Sequence, residues 1–559
     1  LKHSFLWPSK SSFLSKSFLL QIKLLIFTYL KIINLKKIFL LGCLLFTQQI
    51  FAQISGELQA NLNFYENDTA IVVKGNPLYE NYKSGGESWL ALRYNGENGF
   101  NANVRIDGFQ NSNILNPNNA FTAAGIGMFN VSKEWDNLTI TAGHIYDQIG
   151  TGIIYRAYED RALLIDNALF GLQAKYHFSD KLNVKAFTGQ VRNLFERYNP
   201  VIKGINFEGD LDYKKAHFTP GIGVVNRTLD KGSMDKVVNT VNGLPFADRF
   251  IPKYNYYAAT VYNTLNIGSI SWYVEGAMKT EEAINNAQGL LVNKNGTVLY
   301  TNAGWAKNKI GINASFKRTE NFALRTSPNE SALRGFTNWQ PIIAVIRPQR
   351  VIARYTPASQ DLSEQSYAVS TQYTPNDNYS VNGSYTHINN LDGVKLYREV
   401  FIEGEIRKIK NTIIHAGTQI LDYNQAVYQQ DGNTFKSVTG FAEITYKFSE
   451  KKSLKADLQY MDGHGDYGSW AYALLEYDIA PKWAFAVSDM YNISTNANFT
   501  LHKGLVNHHY PNVFVAYTHN AHRFTAQYVK QVAGINCTGG VCRYEPAFSG
   551  FKIGVTSSF

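Results

Sequence analysis

From Gln53 onward the apolar residues of this chain recur with a period of two. Between 453 and 460, Leu454, Ala456, Leu458 and Tyr460 alternate with Lys455, Asp457 and Gln459. Ile205, Phe207, Leu211 and Tyr213 oppose Asn206, Glu208, Asp210 and Asp212. Ile310, Ile312, Ala314 and Phe316 oppose Lys309, Asn313, Ser315 and Lys317, and Val104 and Ile106 oppose Asn103, Arg105 and Asp107. Successive strand side chains point to opposite faces, so each segment reads as a strand with one apolar and one polar face.

A soluble β-sandwich alternates too, and the connections discriminate. Short ones fall near 95–99, 135–137, 178–181, 213–216, 266–268 and 317–320, with five more toward the C-terminus. Long ones fall near 66–85, 110–123, 150–166, 192–202, 228–253, 280–307 and 328–363, again with five more. Short turns on one rim and long loops on the other mark a transmembrane barrel. The spacing predicts an all-β fold: an antiparallel outer-membrane β-barrel of about 24 strands, within 22–26. An even count puts both termini on one rim, expected to be periplasmic. In hydrocarbon every backbone N–H and C=O needs a partner, and only a sheet without edges supplies them all. A lumen this wide is not filled by wall side chains alone, so it is expected to be wet or occupied by folded-in loops.

Composition agrees. Charged residues are 18% and aromatics 14%, with 35 Tyr and 34 Phe. The net charge of +10 is concentrated at the start, where residues 1–52 carry seven Lys and no acid; the remainder is near +3. No sustained basic stripe, phosphate-cradling glycine loop or zinc-finger spacing is present, so nucleic acid is not an expected partner. No Gly-x-Ser-x-Gly elbow or His-Glu-x-x-His occurs, and neither enzymatic activity, a cofactor nor a bound metal is expected.

Lys36-Lys37, the apolar run Ile38–Phe46 and a small residue at Ala52 have the layout of an export leader cleaved between Ala52 and Gln53. The run is too short for a spanning helix, which needs about 20 apolar residues. Leu40-Leu41-Gly42-Cys43 offers a competing lipoprotein box. Residues 1–52 are set aside, with 1–34 a doubtful extension, and 53–559 is read as one barrel. At the other end Phe551, Ile553, Val555 and Phe559 share a face. A terminal aromatic after an alternating strand resembles the signal read by the outer-membrane assembly machinery, an expected partner together with membrane lipid and lipopolysaccharide.

Several groups stand out as candidate sites. In GTGIIYRAYEDRALLIDN, residues 150–167, Arg156, Glu159, Asp160, Arg161 and Asp166 crowd together. Their charges nearly cancel, which reads as a self-paired loop latch; the spacing also permits a short helix. Arg334, Arg347, Arg350 and Arg354 lie in a segment that also holds Trp339 and Pro341, and their guanidinium forks suit an anion. Cys537 and Cys542 flank a Gly-Gly turn and are expected to pair as a structural disulfide in an oxidising compartment. Rim histidines around 502–522 and the Asp462–Asp466 loop carry weaker hints of cation binding.

The segment AGHIYDQIGTGIIYRAYEDRALLIDNALFG, together with Phe109–Pro117, Lys317–Asn321, the Cys-x-Gly-Gly-Val-Cys loop and the terminal Ser-Ser-Phe, resembles an outer-membrane family of Bacteroidota described only as a domain of unknown function. The resemblance covers 53–559. It implies a membrane-inserted barrel and no activity. Strands begin soon after Gln53, so no separate plug domain and no energised uptake are expected. The functional expectation is a porin-like channel or passive transporter of a small solute. The alternatives are a plugged barrel serving a secretion, assembly or surface complex, and an outer-membrane enzyme.

Overall fold

The computed structural model describes residues 54–559 except 72–77, 117–118, 287–288, 331–333, 360, 430–431, 494–506 and 539–540, and excludes the side chains of 115–119 and 535–544. The proposed cleavage site Ala52/Gln53, the competing Cys43, and the side chains of Cys537 and Cys542 lie outside the described part.

Twenty-four antiparallel strands follow one another around a ring. They are β1 (Ile54–Tyr65), β2 (Ser84–Asn95), β3 (Phe100–Asn116), β4 (Asn119–Glu134), β5 (Leu138–Ile145), β6 (Leu169–Ser179), β7 (Leu182–Asn193) and β8 (Glu196–Gly209, resuming at Leu211–Tyr213). Next come β9 (Ala216–Thr228), β10 (Asn255–Ile267), β11 (Ile270–Asn285), β12 (Leu291–Lys307), β13 (Ile310–Glu320), β14 (Glu364–Asn376), β15 (Tyr379–Asn390) and β16 (Lys395–Ile406). The last are β17 (Thr412–Asn424), β18 (Thr434–Ser449), β19 (Lys452–His464), β20 (Ser469–Ile479), β21 (Trp483–Ile493), β22 (His509–His519), β23 (His522–Gln531) and β24 (Phe548–Ser558). The ring closes where Glu57–Tyr65 of β1 pairs with Gly550–Ser558 of β24. Gly56 and the terminal Phe559 add two further backbone bonds, of 2.6 and 2.9 Å, to this seam.

Outward residues form a lipophilic belt. Mid-strand positions such as Leu172, Val261, Leu458 and Val513 are exposed. Toward the short turns the exposed residues become aromatic: Tyr94, Trp135, Trp272, Tyr373, Phe448 and Trp483. Apolar centre and aromatic edge match hydrocarbon and headgroup, the pattern of a membrane-spanning barrel. The tight turns close through left-handed residues such as Gly268 and Asn308.

The rims separate as expected, with four corrections. The stretch 280–307 is not a loop: β11 and β12 run on as a long protruding hairpin, paired to Asn285↔Leu291. Residues 317–320 are not a turn; they end β13, whose turn to β12 sits at 308–309. Residues 192–202 are a tight hairpin, with β8 starting at Glu196. Residues 110–123 are mostly ladder, with β3 and β4 paired out to Asn116↔Asn119. In each case backbone pairing carried polar sequence beyond the apolar belt. Loop 229–254 contains helix α1 (Lys231–Asn242), whose Val237 and Val241 pack with Ala283 and Leu291 of the protruding hairpin. In the last long connection, backbone pairing sets Cys537 opposite Cys542.

Candidate functional site in the lumen

Two long loops turn inward. Loop 146–168 touches Gln59 of β1, Arg105 of β3, Arg192 of β7 and Glu275 of β11. Only a segment inside the ring reaches strands so far apart. Two glycines let it turn there. At Gly150 (φ 55°) a Cβ would stand 2.6 Å from the Glu275 carboxylate, so only glycine brings this backbone onto Glu275. Thr151 then donates to Glu275 from its N–H (3.0 Å) and its hydroxyl (2.6 Å). The run Ile149, Ile153, Ile154 and Tyr155 is buried against Phe187, Val225, Tyr256 and Ala258 of the wall. Tyr155 stacks on Phe187 at 4.3 Å, and burial holds its hydroxyl well above the usual range.

The five charged residues of this loop form no helix. Glu159 and Asp160 pair with Asp166 and Ile165 in a two-rung hairpin. The latch is self-paired only through Arg161 and Glu159, and Glu159 and Asp166 meet the wall. Arg105 donates to Asp107 (2.6 Å), Glu159 (2.9 Å) and Asp166 (2.6 Å). Arg192 bonds Asp107 at 2.7 Å and also Asp166. Tyr146 donates to the same Asp166 carboxylate at 3.0 Å. The lattice is therefore two wall arginines and a wall aspartate closed by two loop carboxylates. Arg161 is peripheral, meeting Glu159 (2.8 Å), Glu57 (3.3 Å) and Gln59 (2.6 Å). Among the described residues Arg156 has no carboxylate within ion-pair distance. It lies between the rings of Tyr158 (4.6 Å) and Trp339 (4.7 Å), and burial lowers its pKa. Asp160 receives the Leu163 N–H at 3.0 Å.

Loop 321–363 fills the other side. Arg347 meets Glu399 at 3.0 Å and Ser384 at 2.5 Å, and lies 3.7 Å over Phe401. Arg354 lies 4.7 Å over Trp470, with Asp466 at 3.8 Å. Tyr355 stacks on Phe435 at 4.0 Å and donates to Asp466 at 2.7 Å. Val351 donates its N–H to Gln459 at 3.0 Å. The four candidate anion-binding arginines thus do not converge: Arg347 and Arg354 are engaged with wall groups and Arg334 accepts a bond from Arg325 at its carbonyl, while Arg350 stays exposed. Asp466, one of the hinted cation ligands, is engaged with Tyr355 and Gln425.

The two loops join each other in mid-lumen. Arg156 N–H donates to the Thr337 carbonyl (2.8 Å), and Trp339 N–H to the Gly152 carbonyl (2.9 Å). The Asn338 amide donates to Ile153 (2.9 Å) and that of Asn167 to Phe336 (3.2 Å). The result is a plug made of the chain's own connections. Arg192, Glu275, Glu399 and Asn338 were not singled out from sequence. Glu275 and Glu399 sit on the polar face of alternating strands, which is the signal that could have found them; nothing local marks the other two. Among the described residues, Asp210, Asp212 and His217 are near enough together to hold a metal ion. They sit at the short-turn rim, Asp212 exposed and the other two half-buried, and His217 meets Asp212 at 2.9 Å.

A model of a family of unknown function (DUF6029) matches residues 23–559. No curated protein matches the sequence. Among solved structures, the siderophore receptor PirA from Pseudomonas aeruginosa is similar at 8% identity and a TM-score of 0.42, over 92% of this chain and 81% of that chain. The P pilus usher (PapC) translocation pore is similar at 9% identity and a TM-score of 0.41, over 90% and 99%. The ferric-catecholate import receptor Fiu from E. coli K12 is similar at 10% identity and a TM-score of 0.40, over 91% and 82%. Likenesses at this level carry no functional argument.

Proposed function

Starting from the fact that the chain belongs to this family of unknown function, DUF6029, which brings no activity with it, we propose that the protein is an outer-membrane barrel plugged by its own loops, a normally closed passive conduit for a small solute. The observation that carries this reading is the bonding of loop 146–168 to loop 321–363 across the lumen. A wide ring invites free diffusion, and two laced loops remove it. A cavity of about 920 Å³ remains under loop 321–363, so the plug does not fill the whole bore.

An export leader ending at Ala52, a Cys537–Cys542 disulfide and a bacteroidotal source belong to the same reading. So do short turns and both termini on the periplasmic side, lipid and lipopolysaccharide around the wall, and insertion guided by Phe559. Arg334 and Arg350 are the loop arginines assigned to anion contact. No catalytic role is assigned.

Planar-bilayer recording tests it. Wild-type protein should be silent or flicker briefly, and Asn338→Ala with Trp339→Ala should give larger and longer openings. A steadily open wild type would overturn the plug. A variant that stays silent although its loops have become protease-sensitive would favour the second reading, a barrel serving a surface or assembly complex. The apolar filling around Tyr355 and Trp470 favours that alternative, because such contacts are costly to break.

A further inference from the structure

Beneath loop 321–363, toward the short-turn rim, lies a cavity of about 920 Å³ whose wall belongs to β10–β16. Its inward residues alternate with the lipid-facing Ile270, Trp272, Ile312, Val369 and Val381. Most are uncharged, among them Ser271, Asn313, Ser370, Gln372, Asn382 and Ser384, and the Glu403 carboxylate stands at the border, 3.5 Å from the Gln349 amide. Asn313 and Asn302 bond each other reciprocally at 2.9 and 3.0 Å, and Asn302 also reaches Ser315 at 2.7 Å. That ladder fixes the orientation of the amides. Ser271, Ser370, Gln372 and Asn382 have no side-chain hydrogen bond among the described residues, so their donors and acceptors face the cavity. Arg347, at the edge, is neutralised by Glu399. The roof is different. Val345 and Ile346 of the inward loop are 44% and 43% exposed.

The adjoining wall makes the contrast. Glu405, His415, Glu443 and Asp457 stand opposite one another on successive strands β16 to β19. One sector of the lumen is charged, and the next is amide and hydroxyl up to its border with Glu403 and the Arg347–Glu399 pair. An anionic solute would have to shed water there beside the Glu403 carboxylate, with Arg347 already paired to Glu399. A molecule with many hydroxyls and an apolar C–H face fits both surfaces, since oriented amides satisfy the hydroxyls and the valine–isoleucine roof covers the C–H face.

We propose that this cavity is a binding site for a neutral carbohydrate, seated between the amide wall of β11–β15 and residues 345–346 of the plug. The inference deepens the conduit reading and rests on it for the idea that the solute crosses. Binding and passage are read separately. Saturation-transfer NMR of the full barrel in a non-sugar detergent, with maltotriose as probe and glucuronate as charged control, should give a saturable signal for maltotriose alone. Gln372→Leu with Asn382→Leu should weaken it about tenfold with unchanged heat-modifiable gel mobility, whereas Asp457→Asn should leave it intact. No saturable maltotriose signal, equal binding of glucuronate, or full affinity in the double variant would overturn the site. Liposome swelling gives the second arm: binding without maltotriose-driven swelling keeps the site and removes the conduit, while swelling without binding keeps the conduit and removes the site.

Discussion

The two inward loops occupy one lumen by different chemistry. Loop 146–168 adds directional charge to its buried isoleucine run, with Asp166 and Glu159 closing a lattice on Arg105, Arg192 and Asp107. Loop 321–363 is held mainly by rings and apolar area, with Tyr355 on Phe435 and Arg354 over Trp470. A lattice of buried charges admits one registration, because any shift leaves a charge uncompensated. Stacked rings tolerate small displacements at modest cost. The first loop is therefore the fixed half of the plug and the second the adjustable half.

The largest expected effect comes from breaking the lattice. Asp166→Ala leaves Arg105 and Arg192 short of an anion inside the ring and should cost about 3–5 kcal/mol, read as a fall in the urea midpoint of the detergent-solubilised barrel. An unchanged midpoint would erase the distinction between the loops. Tyr355→Ala should cost about 3 kcal/mol through the cavity it leaves. Limited proteolysis should then cut within 321–363 while 146–168 stays protected; cleavage in both loops at once would mean that they yield as one unit.

Arg156→Ala combined with Arg161→Ala should cost only about 1 kcal/mol, because one residue is sandwiched between rings and the other is partly exposed. A loss as large as that of Asp166→Ala would return the latch to the loop's own arginines. The smallest effect concerns acid. Burial alone would raise the Asp147 carboxyl, yet Lys185 at 2.9 Å and Lys175 at 3.2 Å hold it below its ordinary value. Its contribution is complete above the ordinary carboxylate pKa and is lost as pH falls through the depressed one. Protease protection of 146–168 should be flat from neutral pH down to about 4 and decline below it, and Asp147→Asn should remove that acid limb.

The strands were legible because lipid enforces alternation. Leu454, Leu458 and Ile205 point outward for the same reason that their neighbours point inward. Legibility failed where that constraint ends. The polar stretch between Lys279 and Gly296 reads as a loop, yet it forms a paired hairpin beyond the belt. Lys317 and Arg318 read as turn residues, but Lys317 is buried against Glu364 at 2.7 Å. The charged cluster of 156–166 was visible and its partners were not, since Arg105 and Arg192 stand 61 and 26 positions from Asp166. Near-cancellation of charge within the segment suggested internal pairing, and only the ring brings in the outside partners. The neutral wall of β11–β15 is alternation again, but its neighbouring positions come from strands whose register sequence spacing does not set.

A ring of 24 strands is a thin hoop, and the softest motion of a hoop is flattening. Loop 146–168 ties β1, β3, β7 and β11 to a common centre, loop 321–363 ties β15 to β20, and the two are fastened together. They act as spokes. The roundness of the wall therefore depends on its contents, and any event that draws the plug aside also loosens the circumference around it.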